Sequence, residues 1–408
     1  MSTAALLAIG DELVAGRVRE GNFPTLIRAL DAQGWRVAEA RVIPDDKPAL
    51  VATLHELCRR HSLVIATGGL GPTEDDLTAD AVAAAAQVPR ARHPLAEAMV
   101  RAFFAAAGRT PGEVNLRQAD LPVGATPLAN PRGTAPAFVM SLGPAQLLVL
   151  PGVPGEVLAI ADTSLRDWLL AHPGPVSRRI SRTLTVAGIP EAALGEQIRD
   201  LMLRTGPVLV GSYPGAGEVR LHCEADAEHA EELERVSALA AARLGEHLVS
   251  AEGESLEAVV LARLSARAAK LGIAESLTGG LVLARLISQA GASRCCRGGI
   301  VAYDDAAKMA MLGVAPELLE LEGAVSECVA RAMAEGVRRA WGVDFGLATT
   351  GVAGPGPDAR GVAAGRVFVA VAGPAGTQSR SLLIPGARED VRQRAASAAL
   401  DLLRRTLA

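Results

Sequence analysis

Two residues of this 408-residue chain are best placed for covalent chemistry: Ser276, and Lys308 further along. Ser276 follows the apolar run Leu271–Ala274 and precedes Thr278-Gly279-Gly280, where a helical pattern opens over Thr278–Gln289. Strand end, serine, glycines and helix start together expose a hydroxyl beside backbone N–H donors. A serine is a weak nucleophile until a base takes its proton. All seven histidines precede residue 253, so the C-terminal segment offers no imidazole for a Ser-His-Asp triad. Lys308 is its alternative base. The chain has only three lysines (Lys47, Lys270, Lys308) among 41 basic residues, so arginine serves nearly everywhere a cation is needed. A retained lysine is a candidate for work that requires an amine able to lose its proton. If desolvated, Lys308 can accept the serine proton and return it to a leaving group. The bland alternative makes Ser276 a helix N-cap and Lys308 a surface residue.

Other polar groups of the same segment sit where a substrate would meet them. Tyr303 precedes Lys308 by five residues, and its hydroxyl is placed to donate to the serine or the base. Thr350 ends an apolar run ahead of Gly351-Val352-Ala353-Gly354-Pro355-Gly356, where glycine N–H groups can face a phosphate. Thr278 and Gly279 follow the serine directly. Near the N-terminus a second constellation appears. Thr67-Gly68-Gly69-Leu70-Gly71 follows a short apolar run and leads into Asp75-Asp76, while Asp11, Glu12, Asp45 and Asp46 end neighbouring runs. Gly68, Gly69 and Gly71 suit close approach to an anion. Carboxylates beside a phosphate make sense if a divalent cation bridges them. The same residues also read as a tight turn with Thr73, Asp75 and Asp76 as helix caps. The loop is neither a P-loop nor the dinucleotide fingerprint.

The elements that must hold these groups are legible in outline. Strand, polar or glycine-rich loop and helix alternate three times before residue 80, as in a mostly parallel sheet covered by helices. Ligands of such sheets sit beyond the carboxyl ends of the strands. Strands over Phe138–Leu142 and Gln146–Leu150 form a hairpin at Gly143-Pro144. Ala171-His172-Pro173-Gly174-Pro175 reads as a linker. Beyond it, strands at Ile180–Val186, Val208–Gly211 and Val219–Glu224 alternate with helices over Pro190–Leu203 and Ala227–Leu244. His222 and Cys223 face opposite sides of one strand, which argues against a joint metal site. The expected architecture is α/β: two α/β sandwich domains (1–170 and 253–408) joined by a small α+β domain (171–252).

Composition narrows the function class. Half the residues are hydrophobic and 21% charged, which suits packed domains. A formal charge of -4 without basic blocks gives no support for direct nucleic-acid binding. The start MSTAALLAIGDEL lacks a basic region before its apolar run, which argues against a signal peptide. No apolar stretch is long enough to span a bilayer. Five scattered cysteines without zinc spacing indicate a cytoplasmic chain with reduced thiols.

Several separated motifs resemble one family in order along nearly the whole chain. GDEL at 10–13 with Asn22, TGGLGPTEDDLT at 67–78, NPRGTAP at 130–136 and LPGVPGE at 150–156 resemble the N-terminal half of the competence/damage-inducible CinA family, a molybdopterin-binding fold of the MoaB/MogA type. AESLTGG at 274–280, GGIVAYDDAAK at 298–308, GAVSE at 323–327 and TTGVAGPGP at 349–357 resemble its C-terminal, PncC-type nicotinamide mononucleotide deamidase domain. The resemblance implies an amidohydrolase that makes nicotinic acid mononucleotide and ammonia, with Ser276 as nucleophile and Lys308 as base. Tyr303, Thr350 and a phosphate-binding arginine, Arg388 rather than Arg392, fall on further family positions. Thr278, Gly279, Gly351 and Gly354 complete the expected substrate contacts. For the N-terminal half it implies metal-dependent hydrolysis of the ADP-ribose pyrophosphate, with Asp45 and Asp76 at the acidic positions. A non-catalytic nucleotide- or pterin-binding role linked to competence is the other possibility. No cofactor is expected for the deamidase, a divalent metal is expected for the N-terminal site, and the partners expected are a nucleotide substrate and a second copy in a homodimer. Where the family often has YSNEAK this chain has YDDAAK. If Asp304 and Asp305 face the substrate phosphate they weaken its binding; if they only cap the helix, nothing changes.

Overall fold

In the computed structural model, which describes residues 3–175, 179–215 and 217–408, the uninterrupted apolar run Ala4–Ile9 forms a fully buried strand, β1. Such a run, apolar on both faces, belongs inside a sheet covered on two sides. β1 is flanked by β2 (Val37–Ile43) and β3 (Leu63–Thr67), both parallel to it. A short ribbon of β4 (Arg90–Arg92) and β5 (Asp120–Pro122) stands apart. β6 (Thr126–Leu128), β7 (Ala137–Leu142) and β8 (Ala145–Leu150) complete a six-stranded sheet in the order β2-β1-β3-β8-β7-β6. Ala5, Leu7 and Ile9 point into one core while Ala4 and Leu6 point into another, so helices cover both faces. The helix Lys47–Arg60 shows the local logic. The Asp46 side chain accepts from the Ala49 N–H at 2.8 Å, a proline occupies the first turn, and Arg59 and Arg60 sit at the C-terminus.

The chain divides into two compact units, Met1–Arg179 and Ile180–Ala408. In the second unit, β9 (Arg179–Ala187), β10 (Leu209–Pro214), β11 (Glu218–Asp226) and β12 (Leu248–Ser250) form a sheet in the order β10-β11-β9-β12. Its own small core includes Leu184, Val186, Leu221, Cys223 and Leu233. β13 (Leu271–Glu275), β14 (Cys296–Val301), β15 (Phe345–Gly351), β16 (Arg366–Gly373) and β17 (Gly376–Leu383) form the larger sheet, ordered β14-β13-β15-β16-β17. β13 runs parallel to β14 and β15, and β16 and β17 return antiparallel. Leu271 and Ile273 enter one apolar layer and Ala274 the other. The fold is mixed α/β with helix-covered sheets, as expected.

Within the compact unit Ile180–Ala408 the two sheets keep separate cores. Polar contacts join them. Arg285 binds Glu257 at 2.5 Å, Ser397 at 2.7 Å and, from the small sheet, Glu218 at 2.9 Å. Arg404, only 4% exposed, donates to the carbonyls of Leu248 and Glu246 and to Asp401. Guanidinium groups so buried hold their place because every donor direction is matched.

Candidate active site

β13 delivers the serine through a turn that its own neighbour builds. Glu275, 1% exposed, accepts from the N–H groups of Gly280 and Val282 through one carboxylate oxygen, at 2.9 and 3.1 Å, and from Leu283 through the other at 3.0 Å. A carboxylate satisfied by helix N-terminal donors is favoured by both hydrogen bonding and the helix dipole. The helix therefore spans Leu281–Ile287 with Gly280 as its N-cap, not Thr278–Gln289, and Ser276 is not the cap. This corrects one expectation. The helical N–H groups after Ser276 are spent on Glu275 and do not face an oxyanion. The N–H of Leu277, which lines the cavity, has no protein acceptor among the described residues.

Ser276 is 7% exposed, and its hydroxyl has no protein hydrogen-bond partner among the described residues. It opens into a cavity of about 350 Å³ shared with Lys308, Tyr303, Thr350 and Arg388. Lys308 is 1% exposed on the helix Asp305–Leu312, so it is no surface residue. It and Leu312, four residues on, are the two buried residues of that helix, as helical spacing dictates. The amine lies 3.4 Å from the Tyr303 carbonyl and 3.6 Å from Asp305. Burial pushes its pKa below the ordinary lysine value, and Asp305 followed by Asp304 pull the other way. Neutral amine is thereby more abundant than on an exposed lysine. The two aspartates of YDDAAK have separate duties. Asp304 caps the helix, accepting from Ala307 at 2.7 Å, whereas Asp305 lines the cavity.

Tyr303 lies just past the end of β14 and is 61% exposed. Its hydroxyl accepts from Arg388 at 3.0 Å, and the same guanidinium donates to the Gly354 carbonyl at 2.6 Å. It is the backbone carbonyl of Tyr303, not the hydroxyl, that meets Lys308. Thr350 is fully buried, lines the cavity and donates to the Ala324 carbonyl at 2.7 Å. Gly351 and Gly354 line the cavity, as do Ala353 and Gly356, and the N–H groups of Ala353, Gly354 and Gly356 have no protein acceptor among the described residues. Two expected contacts lie elsewhere. Thr278 is buried with its hydroxyl 2.7 Å from that of Thr349, and Gly279 is exposed outside the cavity lining. Arg392 holds the Thr278 carbonyl at 2.9 Å rather than facing the cavity, which separates it from Arg388.

The N-terminal constellation also converges, on a cavity of about 570 Å³ lined by Gly68, Gly69, Gly71, Asp45, Asp75 and Asp76. Its polar groups are largely spent on one another. Asp76 accepts from the Gly71 N–H at 2.7 Å and from the Thr73 N–H and hydroxyl at 2.8 and 2.6 Å. The Gly68 N–H goes to the Leu150 carbonyl at 3.1 Å, so of the three glycines only Gly69 keeps an N–H without a protein acceptor among the described residues. Gly68 is needed for another reason. Its φ is +109°, and a side chain there would overlap the Ile9 carbonyl. Asp45 and Asp11 exchange backbone-to-side-chain bonds at 3.0 and 3.3 Å. Burial, then the charges of Asp11, Glu12 and Asp75, raise the Asp45 pKa. Among the described residues no three His, Cys, Asp or Glu side chains are grouped to hold a metal ion.

Sequence patterns missed Glu275, because an acid at the end of an apolar run carries no periodic signal. They also missed Gln118 and Asn22 as cavity groups. Both are more than nine-tenths buried and line the N-terminal cavity, and Asn22 Oδ1 and Gln118 Oε1 have no partner among the described residues. Leaving a buried acceptor unpaired costs about 1–3 kcal/mol, so such atoms await a donor.

Comparison with known proteins agrees along the chain. Residues 5–171 match the probable molybdopterin binding domain, 181–249 the damage-inducible protein CinA KH domain and 253–407 the CinA C-terminal domain. A CinA-like protein of Frankia casuarinae is 41% identical, covering 99% of this chain and 96% of that protein. A CinA-like protein of Parasynechococcus marenigrum is 38% identical, covering 98% and 97%. The crystal structure of a competence or damage-inducible protein from Enterobacter asburiae is 34% identical, with a TM-score of 0.37, over 38% of this chain and 96% of that one. No described helix is long and apolar enough to cross a membrane. With three domain matches in order and full-length identity of this degree, the chain belongs to the CinA family.

Proposed function

We propose that the C-terminal domain hydrolyses the carboxamide of nicotinamide mononucleotide, giving nicotinic acid mononucleotide and ammonia. One observation carries this reading: a lysine 1% exposed shares a cavity with a serine hydroxyl that has no partner among the described residues, in a domain without histidine. Ser276 Oγ attacks the carboxamide carbon as Lys308 Nζ accepts its proton. The Leu277 N–H is the donor best placed for the developing oxyanion. Collapse of the tetrahedral intermediate breaks the C–N bond, and Lys308 returns the proton to the departing nitrogen, which leaves as ammonia. Water activated by the same amine then cleaves the ester and restores the serine. Arg388 and the Ala353, Gly354 and Gly356 N–H groups suit the 5′-phosphate, since charge-assisted donors bind phosphate oxygens strongly. The test is ammonia release from nicotinamide mononucleotide by the full chain, S276A and K308A. Both variants are expected to lose turnover while keeping the fold; variant rates equal to the parent reject the dyad.

For the N-terminal cavity we favour binding of a nucleotide or pterin over hydrolysis of a diphosphate. The two unpaired buried acceptors Asn22 Oδ1 and Gln118 Oε1 support this, since they suit the amino or ring N–H donors of a heterocycle. Calorimetric titration with ADP-ribose, with product analysis in the presence of Mg²⁺, checks it. Binding without phosphate-bond cleavage is expected, and metal-dependent turnover lost in Asp76→Ala rejects it.

A further inference from the structure

Helix Asp305–Leu312 begins with an acid that its own cap does not need. Asp304 already closes the N-terminus. Asp305, one residue later, lines the cavity with its side chain 57% exposed and its Oδ1 3.6 Å from Lys308 Nζ. The lysine itself has almost no water to stabilise its charge. We propose that Asp305 is a positioning residue that acts through Lys308: it sets how readily the amine gives up its proton, and so fixes the lowest pH at which the site works. The effect on turnover rests on the deamidase reading given above, whereas the effect on the amine does not.

The surroundings of Lys308 leave Asp305 as its main adjustable charge. On its own element the other acid is Asp304, whose carboxylate is held by Ala307. From the segment before the helix comes the Tyr303 carbonyl at 3.4 Å, a dipole without titratable charge. The long helix Glu327–Trp341, which packs against it, buries Val329, Ala330, Met333 and Val337. From the turn after β13 comes Ser276, and from the end of β15 Thr350. Two further charges line the cavity, Arg388 and Asp358. Arg388 is engaged with Tyr303 Oη and the Gly354 carbonyl, and the Asp358 carboxylate accepts from the N–H groups of Arg360 and Val362. A carboxylate beside an amine favours the protonated amine. Serine activation needs the unprotonated one. Asp305 therefore opposes the effect of burial: it stabilises the charged lysine and raises the pH at which base becomes available.

The test uses the full chain labelled with ¹³Cε-lysine. Only three lysine signals exist, from Lys47, Lys270 and Lys308, and the last is assigned by its loss in Lys308→Met. In Asp305→Asn the Lys308 titration midpoint is expected to fall by about one pH unit, with Lys47 and Lys270 unmoved. The acidic limb of kcat/KM for ammonia release is expected to fall by the same amount, giving about tenfold more activity well below the midpoint. Asp305→Ser is a second variant with the same expectation, in case the amide makes a new contact. A Lys308 midpoint unchanged in both variants overturns the proposal. A midpoint that falls while the activity limb stays supports the pairing and instead overturns Lys308 as the catalytic base.

Discussion

The two cavities of this chain are built from similar parts and leave different polar groups unpaired. Both lie at the carboxyl ends of parallel strands beside glycine loops. In the N-terminal one the carboxylate of Asp76 is consumed by its own loop through Gly71 and Thr73, and two of three glycine N–H groups are likewise spent. In the C-terminal one Glu275 performs that consumption from beneath the turn, while the Ser276 hydroxyl and the Leu277 N–H stay unpartnered among the described residues and Lys308 is buried. The difference teaches that a carboxylate near a glycine loop is no sign of catalysis by itself. What matters is which polar groups remain unsatisfied after the loop has closed.

The sharpest way to break this contrast is to remove the groups left over in the C-terminal cavity. S276A and K308A are each expected to reduce kcat/KM for ammonia release roughly 10²–10⁴-fold, with unchanged circular dichroism. Next comes the group beneath the turn. Glu275→Gln turns one acceptor into a donor that faces donors, so unfolding by urea should show a loss of about 1–3 kcal/mol along with reduced kcat. Arg388→Ala is expected to raise KM about tenfold with a smaller change in kcat, which steady-state kinetics will separate. Asp76→Ala should lower the stability of the N-terminal unit by about 1–3 kcal/mol and leave ammonia release unchanged.

Burial of Lys308 also has a stability signature of definite sign. Its folded pKa is depressed below the unfolded value, so the unfolded chain binds more protons between the two. The charged lysine destabilises the fold in full below the folded pKa, and that penalty fades as pH rises toward about 10.4, the unfolded value. Lys308→Met should therefore raise the melting temperature at neutral pH, with the gain shrinking as pH rises. Such a gain with loss of turnover is the exchange expected at a functional site.

Where apolar pattern and local caps decide the outcome, the sequence is readable. β2 and the helix Lys47–Arg60 are set by alternation, by the Asp46 cap and by a first-turn proline, signals that act within a few positions. The helix expected over Pro190–Leu203 is only Glu191–Gln197, and the chain goes on to Met202 in hydrogen-bonded turns. At the site, the cluster of Ser276, Lys308, Tyr303, Thr350 and Arg388 around one cavity follows motifs that could be read in the chain. The division of labour between Asp304 and Asp305 could not, since it depends on which of two adjacent acids is the helix cap. Nor could the placement of Thr278 away from the cavity, which is settled by the Glu275 contacts and by Thr349 across the sheet.

The central claim is that a buried, unprotonated amine serves the serine. Its most direct measurement compares the ¹³Cε titration of Lys308 with the acidic limb of kcat/KM for nicotinamide mononucleotide, in the same buffer. The account predicts one midpoint for both, below the ordinary lysine value of about 10.4. A Lys308 that titrates at that ordinary value while the enzyme is fully active at neutral pH would contradict it.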